Sequence, residues 1–176
     1  MSRTTRRFAR PHLLDDHAIG LEARAEDDDH LSLKLWLRLL ACSTQVETDV
    51  RQRLRAQFDI SLARFDYLAQ LHRHVDGLRM SQLSRYLMVT GGNVTALTDE
   101  LEREGLVQRD SDPEDRRSWR LRMTAAGRKA FERIAREHEH WVIELFAGLD
   151  TGAKQSLYEG LGRLRVQMAA NQEKAA

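Results

Sequence analysis

Apolar residues begin to recur at helical spacing from Leu31. Leu35, Trp36, Leu39, Leu40, Val46, Val50 and Leu54 follow at intervals of three, four and seven, with Lys34, Arg38, Glu47 and Arg51 between them. An apolar stripe of this period predicts an amphipathic helix, here running to about Gln57. At 1.5 Å per residue it would be roughly 40 Å long, so part of it is expected to pack against something outside its own core. A second helix is predicted after Ser61, with Leu62, Phe65, Leu68, Leu71 and Val75 on its apolar face and a stop at Asp76 and Gly77.

Two short helices then follow closely. Ser81 is suited to cap the first, whose apolar positions are Leu83 and Leu87. Residues 88–93 connect it to the second, which runs from about Gly92 to Glu104 and buries Val94, Leu97 and Leu101. Beyond Gly105, Leu106 and Val107 read as one strand. Trp119, Leu121 and Met123 alternate with Ser118, Arg120 and Arg122 as another, across the polar turn 111–117. A helix, a glycine-containing turn, a second amphipathic helix and a β-hairpin make a winged helix-turn-helix. Thr124 is placed to cap a long helix carrying Ile134, His138, Trp141, Val142, Leu145 and Phe146. A last helix after Asp150 or Thr151 carries Leu157, Leu161, Leu164 and Met168. The expected fold is mainly α, with a small β-hairpin wing and a helical dimerisation region.

The long first helix and the last two offer more apolar surface than a small winged helix covers, and pairing across a two-fold axis would bury it. The alternative is one larger helical core. The expected division is an N-terminal extension at 1–30, a dimerisation and pocket helix at 31–60, a winged helix-turn-helix at 61–123 and C-terminal dimerisation helices at 124–172. The extension opens with Arg3, Arg6, Arg7 and Arg10 and closes on Glu26 to Asp29, opposed charge blocks with weak periodicity.

Composition narrows the picture. The chain has 176 residues, 41% hydrophobic and 31% charged, with one cysteine. No window approaches the ~20 apolar residues of a spanning helix, and no apolar run follows the basic N-terminus. A cytoplasmic protein of a reducing compartment is expected, away from any membrane. Net charge is only +1, but 24 of the 28 basic residues are arginine, whose planar fork suits phosphate and guanine. High genomic G+C would give the same bias. Between Arg79 and Thr124 eight basic residues face eight acidic ones, so binding DNA requires charge to be segregated by face.

The candidate DNA contacts are Ser81 and Arg85 on the first helix of the pair, Thr90, Asn93, Thr95 and Thr98 on the second, and Arg116 and Arg117 at the wing. A recognition helix enters the major groove by its N-terminal end, where Asn and Thr reach base edges and free N–H groups meet phosphate. The alternative is that Thr90 and Asn93 only cap the helix. Asp115 is suited to pair with an arginine and brace the wing, or the turn is a solvated, self-paired loop. Trp36, Arg38, Leu40, Phe65, Tyr67, His72 and Trp141 are the candidate effector pocket, or the apolar ones among them are simply core. Cys42 is expected to be a small buried residue, with a redox sensor as the alternative. His72 with His74, and His138 with His140, are two apart on different helix faces, so no metal site is expected. There is no phosphate loop, nucleophile elbow or clustered catalytic carboxylate; neither an enzyme nor a cofactor is expected.

Four segments, Leu78 to Ser84, Val89 to Thr95, Leu101 to Val107 and Asp112 to Thr124, together resemble the MarR family of transcriptional regulators, over about Leu31 to Gln172. The resemblance implies a winged-helix homodimer on a pseudo-palindromic operator, mostly a repressor, released by a small molecule that is often an aromatic acid. It implies that Asn93 and Thr95 read bases, Arg117 enters the minor groove and Asp115 braces the wing. Glu100 departs from the family pattern, which has arginine after the acidic residue, so a backbone contact expected there is lost. Leu35 to Ser43 with Phe65 to Leu71 is similar to the subgroup controlling aromatic-acid catabolism. Some members of that subgroup respond to aryl-CoA thioesters such as hydroxycinnamoyl-CoA or benzoyl-CoA. For such a ligand Arg38, Arg51, Arg53, Arg55 and Arg73 are available for phosphates. Two other readings remain: a regulator sensing oxidants through Cys42, and a helical interaction protein without DNA binding, favoured by Asp99, Glu100, Glu102 and Glu104.

Overall fold

The structure is a computed structural model that describes residues 31–112 and 118–175. The elements run α1 (Leu31–Phe58), α2 (Leu62–Arg73), β1 (Leu78–Arg79), α3 (Met80–Leu87), α4 (Gly91–Arg103), β2 (Val107–Ser111), β3 (Trp119–Met123), α5 (Ala125–Leu145) and α6 (Thr151–Ala175). The chain forms two compact units that meet between Leu62 and Ala63. The predicted extension at 1–30 lies outside the described residues.

Among the described residues the first unit consists of α1 and the short link after it. The C-terminal half of α1 is laced by ion pairs at i, i+4, Arg51 with Glu47 and Arg53 with Asp49 at 2.6 Å. Asp59 closes it in the left-handed conformation, φ 53°, as its N–H and that of Ile60 return to the carbonyls of Arg55 and Leu54. Val50 and Leu54 are buried. The N-terminal half is different: Leu31, Leu33, Leu35, Trp36 and Leu40 are all exposed. Cys42 is exposed too, contrary to the expected burial, because positions 40–45 face outward without a covering element in their own unit.

The second unit holds α2 to α6. Helix α2 ends at Arg73, two residues short of the last apolar position in its pattern, leaving Val75 exposed in the turn that follows. Gly77 then reverses the chain at φ +83°, its N–H donating to the His74 carbonyl at 2.8 Å. A Cβ there would fall 2.7 Å from the Leu121 carbonyl oxygen, so glycine is required by both conformation and space. The next two residues form β1, a strand too short to leave any periodicity in the sequence. The expected hairpin is therefore a three-stranded antiparallel sheet in the order β1-β3-β2, with Leu78 opposite Leu121 and Val107 opposite Met123.

Leu68, Leu71, Leu78, Leu83, Val94, Leu101, Val107 and Leu121 are buried, joining helices α2, α3 and α4 to the inner face of the sheet. Trp119, read as part of the inward alternation, is half-exposed at the open end of the hairpin. Helix α5 brings Phe131, Ile134 and Trp141 to the same core. Thr124 caps it as expected, accepting from the Gly127 N–H at 2.9 Å and donating to the Gly105 carbonyl at 2.7 Å. Asp150 caps α6 by accepting from the Ala153 N–H at 2.8 Å. Along α6 the predicted stripe of Leu157, Leu161, Leu164 and Met168 is exposed throughout.

The start of α5 is pressed against the turn after α4. A Cβ on Gly127 would lie 2.0 Å from the Leu106 carbonyl oxygen and 2.9 Å from Met123 Cγ. Backbone cannot yield as a flexible side chain does, so Gly127→Ala is expected to cost about 3 kcal/mol in urea unfolding. A loss under ~0.5 kcal/mol would show that α5 is not held at this distance.

Candidate nucleic-acid interface

Helix α3 begins at Met80 and is capped by the backbone of Arg79, whose N–H donates to Gln82 Oε1 at 2.9 Å. Ser81, the expected cap, instead sits exposed inside the first turn, and Arg85 is exposed near the helix end. Met88 closes α3 in the left-handed conformation, with its N–H on the Arg85 carbonyl and that of Val89 on the Ser84 carbonyl. The chain then enters α4 through Thr90, whose extended backbone takes the N-cap position while its side chain makes no capping bond. The hydroxyl is thus left for another partner, against the alternative that it only caps the helix.

The first turn of α4 is bare. A Cβ added at Gly91 or Gly92 would meet nothing within 4 Å, and Asn93 and Thr95 are exposed beside them. The Thr95 hydroxyl donates to the Gly91 carbonyl at 3.1 Å, keeping acceptor capacity outward. Free N–H groups at a helix N-terminus, with short polar side chains around them, suit phosphate and base edges. Thr90, Asn93 and Thr95 are brought together there.

Thr98 is not among them. It is fully buried, its hydroxyl donating to the Val94 carbonyl at 2.7 Å and lying 2.7 Å from the Tyr67 hydroxyl. Because the Thr98 proton is committed to Val94, Tyr67 is the donor. Position 98 lies four residues after Val94 and three before Leu101, so helical phase places this side chain on the core face that they share. Tyr67 is correspondingly removed from the candidate pocket: it is buried and pins α2 to α4.

Asp99, Glu100 and Glu102 of α4 and Glu104 at its C-cap are all engaged. Arg64 of α2 donates to Glu100 at 2.8 Å and to Glu104, while Arg109 of β2 donates to Asp99 and Glu102. The hydrogen bond to Asp99 is the main reason that the Arg109 pKa is raised above its ordinary value. Glu100, the departure from the family pattern, is thus half of an internal ion pair. Sequence reasoning missed Arg64 and Arg109. Their signal was indirect: carboxylates on both flanks of a helix meant for phosphate need cations of their own.

The wing root is held by Asp112, which is 1% exposed. Arg79 grips it in bidentate fashion, Nε at 2.7 Å and Nη2 at 3.2 Å, and Arg120 adds a third donor at 3.2 Å. Its N–H donates to the Ser118 carbonyl at 3.1 Å, closing the ladder across the turn. Sequence reasoning gave the bracing role to Asp115. Asp115, Arg116 and Arg117 lie outside the described residues.

The remaining pocket candidates divide between the two units. Trp36, Arg38 and Leu40 are exposed on α1. Phe65, His72 and Trp141 join an aromatic cluster between α2 and α5 that also contains Phe131 and His138. Phe65 lies 5.5 Å from Phe131 and 4.6 Å from His138, and His72 lies 5.0 Å from Phe131. Burial lowers the His138 pKa. Among the described residues no group of His, Cys, Asp or Glu could hold a metal, and no helix is long and apolar enough to cross a membrane.

A bare recognition-helix N-terminus beside a braced hairpin defines a winged helix-turn-helix DNA-binding protein. The sequence pattern of the MarR family matches residues 60–119. A MarR family transcriptional regulator from Silicibacter pomeroyi is 31% identical, with 83% of this chain and 99% of that one aligned at a TM-score of 0.65. The transcriptional activatory protein BadR of Rhodopseudomonas palustris is 29% identical over 66% of this chain and 67% of its own. The fold is shared with Sco3205 of Streptomyces coelicolor, a MarR family regulator solved in complex with DNA, at 22% identity and a TM-score of 0.67 over 80% and 89% of the two chains. The chain belongs to the MarR family and is a DNA-binding transcriptional regulator.

Two outcomes are expected from the site's internal bonds. Replacing Asp112 by Asn keeps the shape but removes the buried negative charge that Arg79 and Arg120 share. It should destabilise the fold by about 2 kcal/mol in chemical unfolding, discounted because both arginines retain some water. A change within ~0.5 kcal/mol would show that the charge at Asp112 is dispensable. Burial pushes the Tyr67 pKa up to about 12. A raised folded-state value stabilises below the unfolded value, about 10, and the contribution drains away as pH climbs toward 12. Wild type should therefore lose stability over that interval, and Tyr67→Phe should lose less there while costing about 1 kcal/mol at neutral pH. Parallel pH–stability curves for the two proteins would contradict this assignment.

Proposed function

We propose that the protein is a homodimeric repressor that binds a pseudo-palindromic operator and is released by a small aromatic ligand, either an aromatic acid or an aryl-CoA thioester such as hydroxycinnamoyl-CoA. The observation that carries the DNA-reading part is the first turn of α4, where Thr90, Asn93 and Thr95 surround two glycines with open space above them. Two such helices on a two-fold axis would meet half-sites about one helical turn apart. The exposed apolar stripes of α1 and α6 support the second copy, since a face of leucines is stable only when covered.

The effector rests on the likeness of Leu35 to Ser43 and Phe65 to Leu71 to regulators of aromatic-acid catabolism. The aromatic cluster of Phe65, His72 and Trp141 supports it. A ligand that releases DNA must favour one dimer geometry over the other; equal affinity for both shifts nothing. BadR is named as an activator, so the sign of regulation belongs to the test. The exposure of Cys42 favours a second reading, an oxidant-driven switch. The interaction-protein reading loses its main support, because Arg64 and Arg109 engage the four acidic residues behind it.

Fluorescence anisotropy with duplex DNA enriched by the protein from a random-sequence pool tests the proposal. Binding should be steeply salt-dependent, with log K falling by ~0.9 per phosphate neutralised per decade of salt, at two subunits per duplex by sedimentation. One aryl-CoA thioester or free aromatic acid from a panel should release it, and Cys42→Ser should respond identically. Release by peroxide that Cys42→Ser abolishes would favour the oxidant switch instead. Selection of no duplex would remove the operator reading.

A further inference from the structure

Helix α4 carries its acidic residues on two flanks, and the Asn93 flank concerns the groove most directly. Asn93, Glu100 and Glu104 lie seven and four residues apart, so they form one stripe along the helix. The side chains of Glu100 and Glu104 are 45% and 41% exposed. An exposed pair of carboxylates on the stripe that leads with a base-reading Asn would meet the phosphate backbone as like charge. Arg64 lies against that stripe with its side chain only 15% exposed, and it reaches both carboxylates, one helical turn apart.

We infer that Arg64 of α2 is a positioning residue for DNA recognition, drawing Glu100 and Glu104 away from the groove and offsetting their charge so that the Asn93 flank can approach phosphate. Arg64 does not itself touch DNA in this arrangement; it acts through the two glutamates. The inference rests on the DNA-reading surface proposed above. It also gives α2 a part in recognition beyond packing, since Tyr67 on the same helix holds Thr98 while Arg64 holds the outer flank.

The test uses the full chain and the duplex that wild type enriches from a random pool, with affinity measured from 0.1 to 0.5 M salt. Arg64→Gln should bind about tenfold more weakly at the lowest salt, with the deficit shrinking as salt screens the exposed carboxylates. Adding Glu100→Gln and Glu104→Gln to that variant should restore affinity to within about threefold of wild type, although the clamp is still absent. With Arg64 retained, the Glu100→Gln, Glu104→Gln double variant should bind more tightly than wild type. Thermal unfolding of each variant establishes that the folded protein is being compared, and the double variant serves where Arg64→Gln does not fold. Unchanged binding by Arg64→Gln overturns the inference. So does a triple variant as weak as Arg64→Gln, or a double variant weaker than wild type, since either would assign the effect to packing. A wild-type protein that enriches no duplex overturns the DNA-reading surface itself, which is a separate result from a normal wild type with an indifferent Arg64→Gln.

Discussion

A buried carboxylate must be matched by donors or it will not stay charged, and Asp112 is matched by two arginines from different parts of the chain. Arg79 stands at the entrance to α3, and Arg120 lies in the middle strand of the sheet. One anion therefore fixes where the helix-turn-helix begins relative to where the hairpin leaves the sheet. The β1–β3 pairing places Arg79 directly opposite Arg120, two like charges that would repel without Asp112 between them. The sheet register and the ion triad thus require one another.

Helix α2 serves two neighbours with two faces. Arg64, Tyr67, Leu68 and Leu71 are spaced to meet the helix-turn-helix, whereas Phe65 and His72, seven residues apart, meet the aromatic residues of α5. A shift of α5 would reach α4 through one rigid helix held by a buried hydrogen bond and an ion pair. The lowered pKa of His138 places a titratable ring at the α5 end of this route. Its contribution to stability is present above its ordinary value and declines as the pH falls below it, because the buried ring must then take up a charge.

The helices were legible in the sequence because each has an apolar stripe of the right period; α1, α5 and α6 begin where their leucines or caps indicate. The recognition turn was legible for a chemical reason, glycines beside Asn93 and Thr95. Strand β1 was not, since two residues carry no period, and the cap of α3 moved to Arg79 because the pairing of Leu78 with Leu121 fixes the preceding backbone. Thr98 was misread because polarity suggested a groove contact while helical phase placed it with Val94 and Leu101. Asp112, Arg64 and Arg109 were not identifiable from local pattern. Their partners lie up to 40 residues away in the chain, and only tertiary structure brings such charges together.

The two glycines that open α4 separate specificity from stability. Nothing lies within 4 Å of where their side chains would be, so these two positions support no part of the core. Residues that hold the fold, such as Val94 and Thr98, lie further along the same helix, where their side chains are buried. A lineage carrying this protein can therefore change what the helix reads by single steps at positions 91 and 92, each adding atoms toward DNA while leaving packing untouched. Operator preference is free to drift faster than the scaffold that presents it.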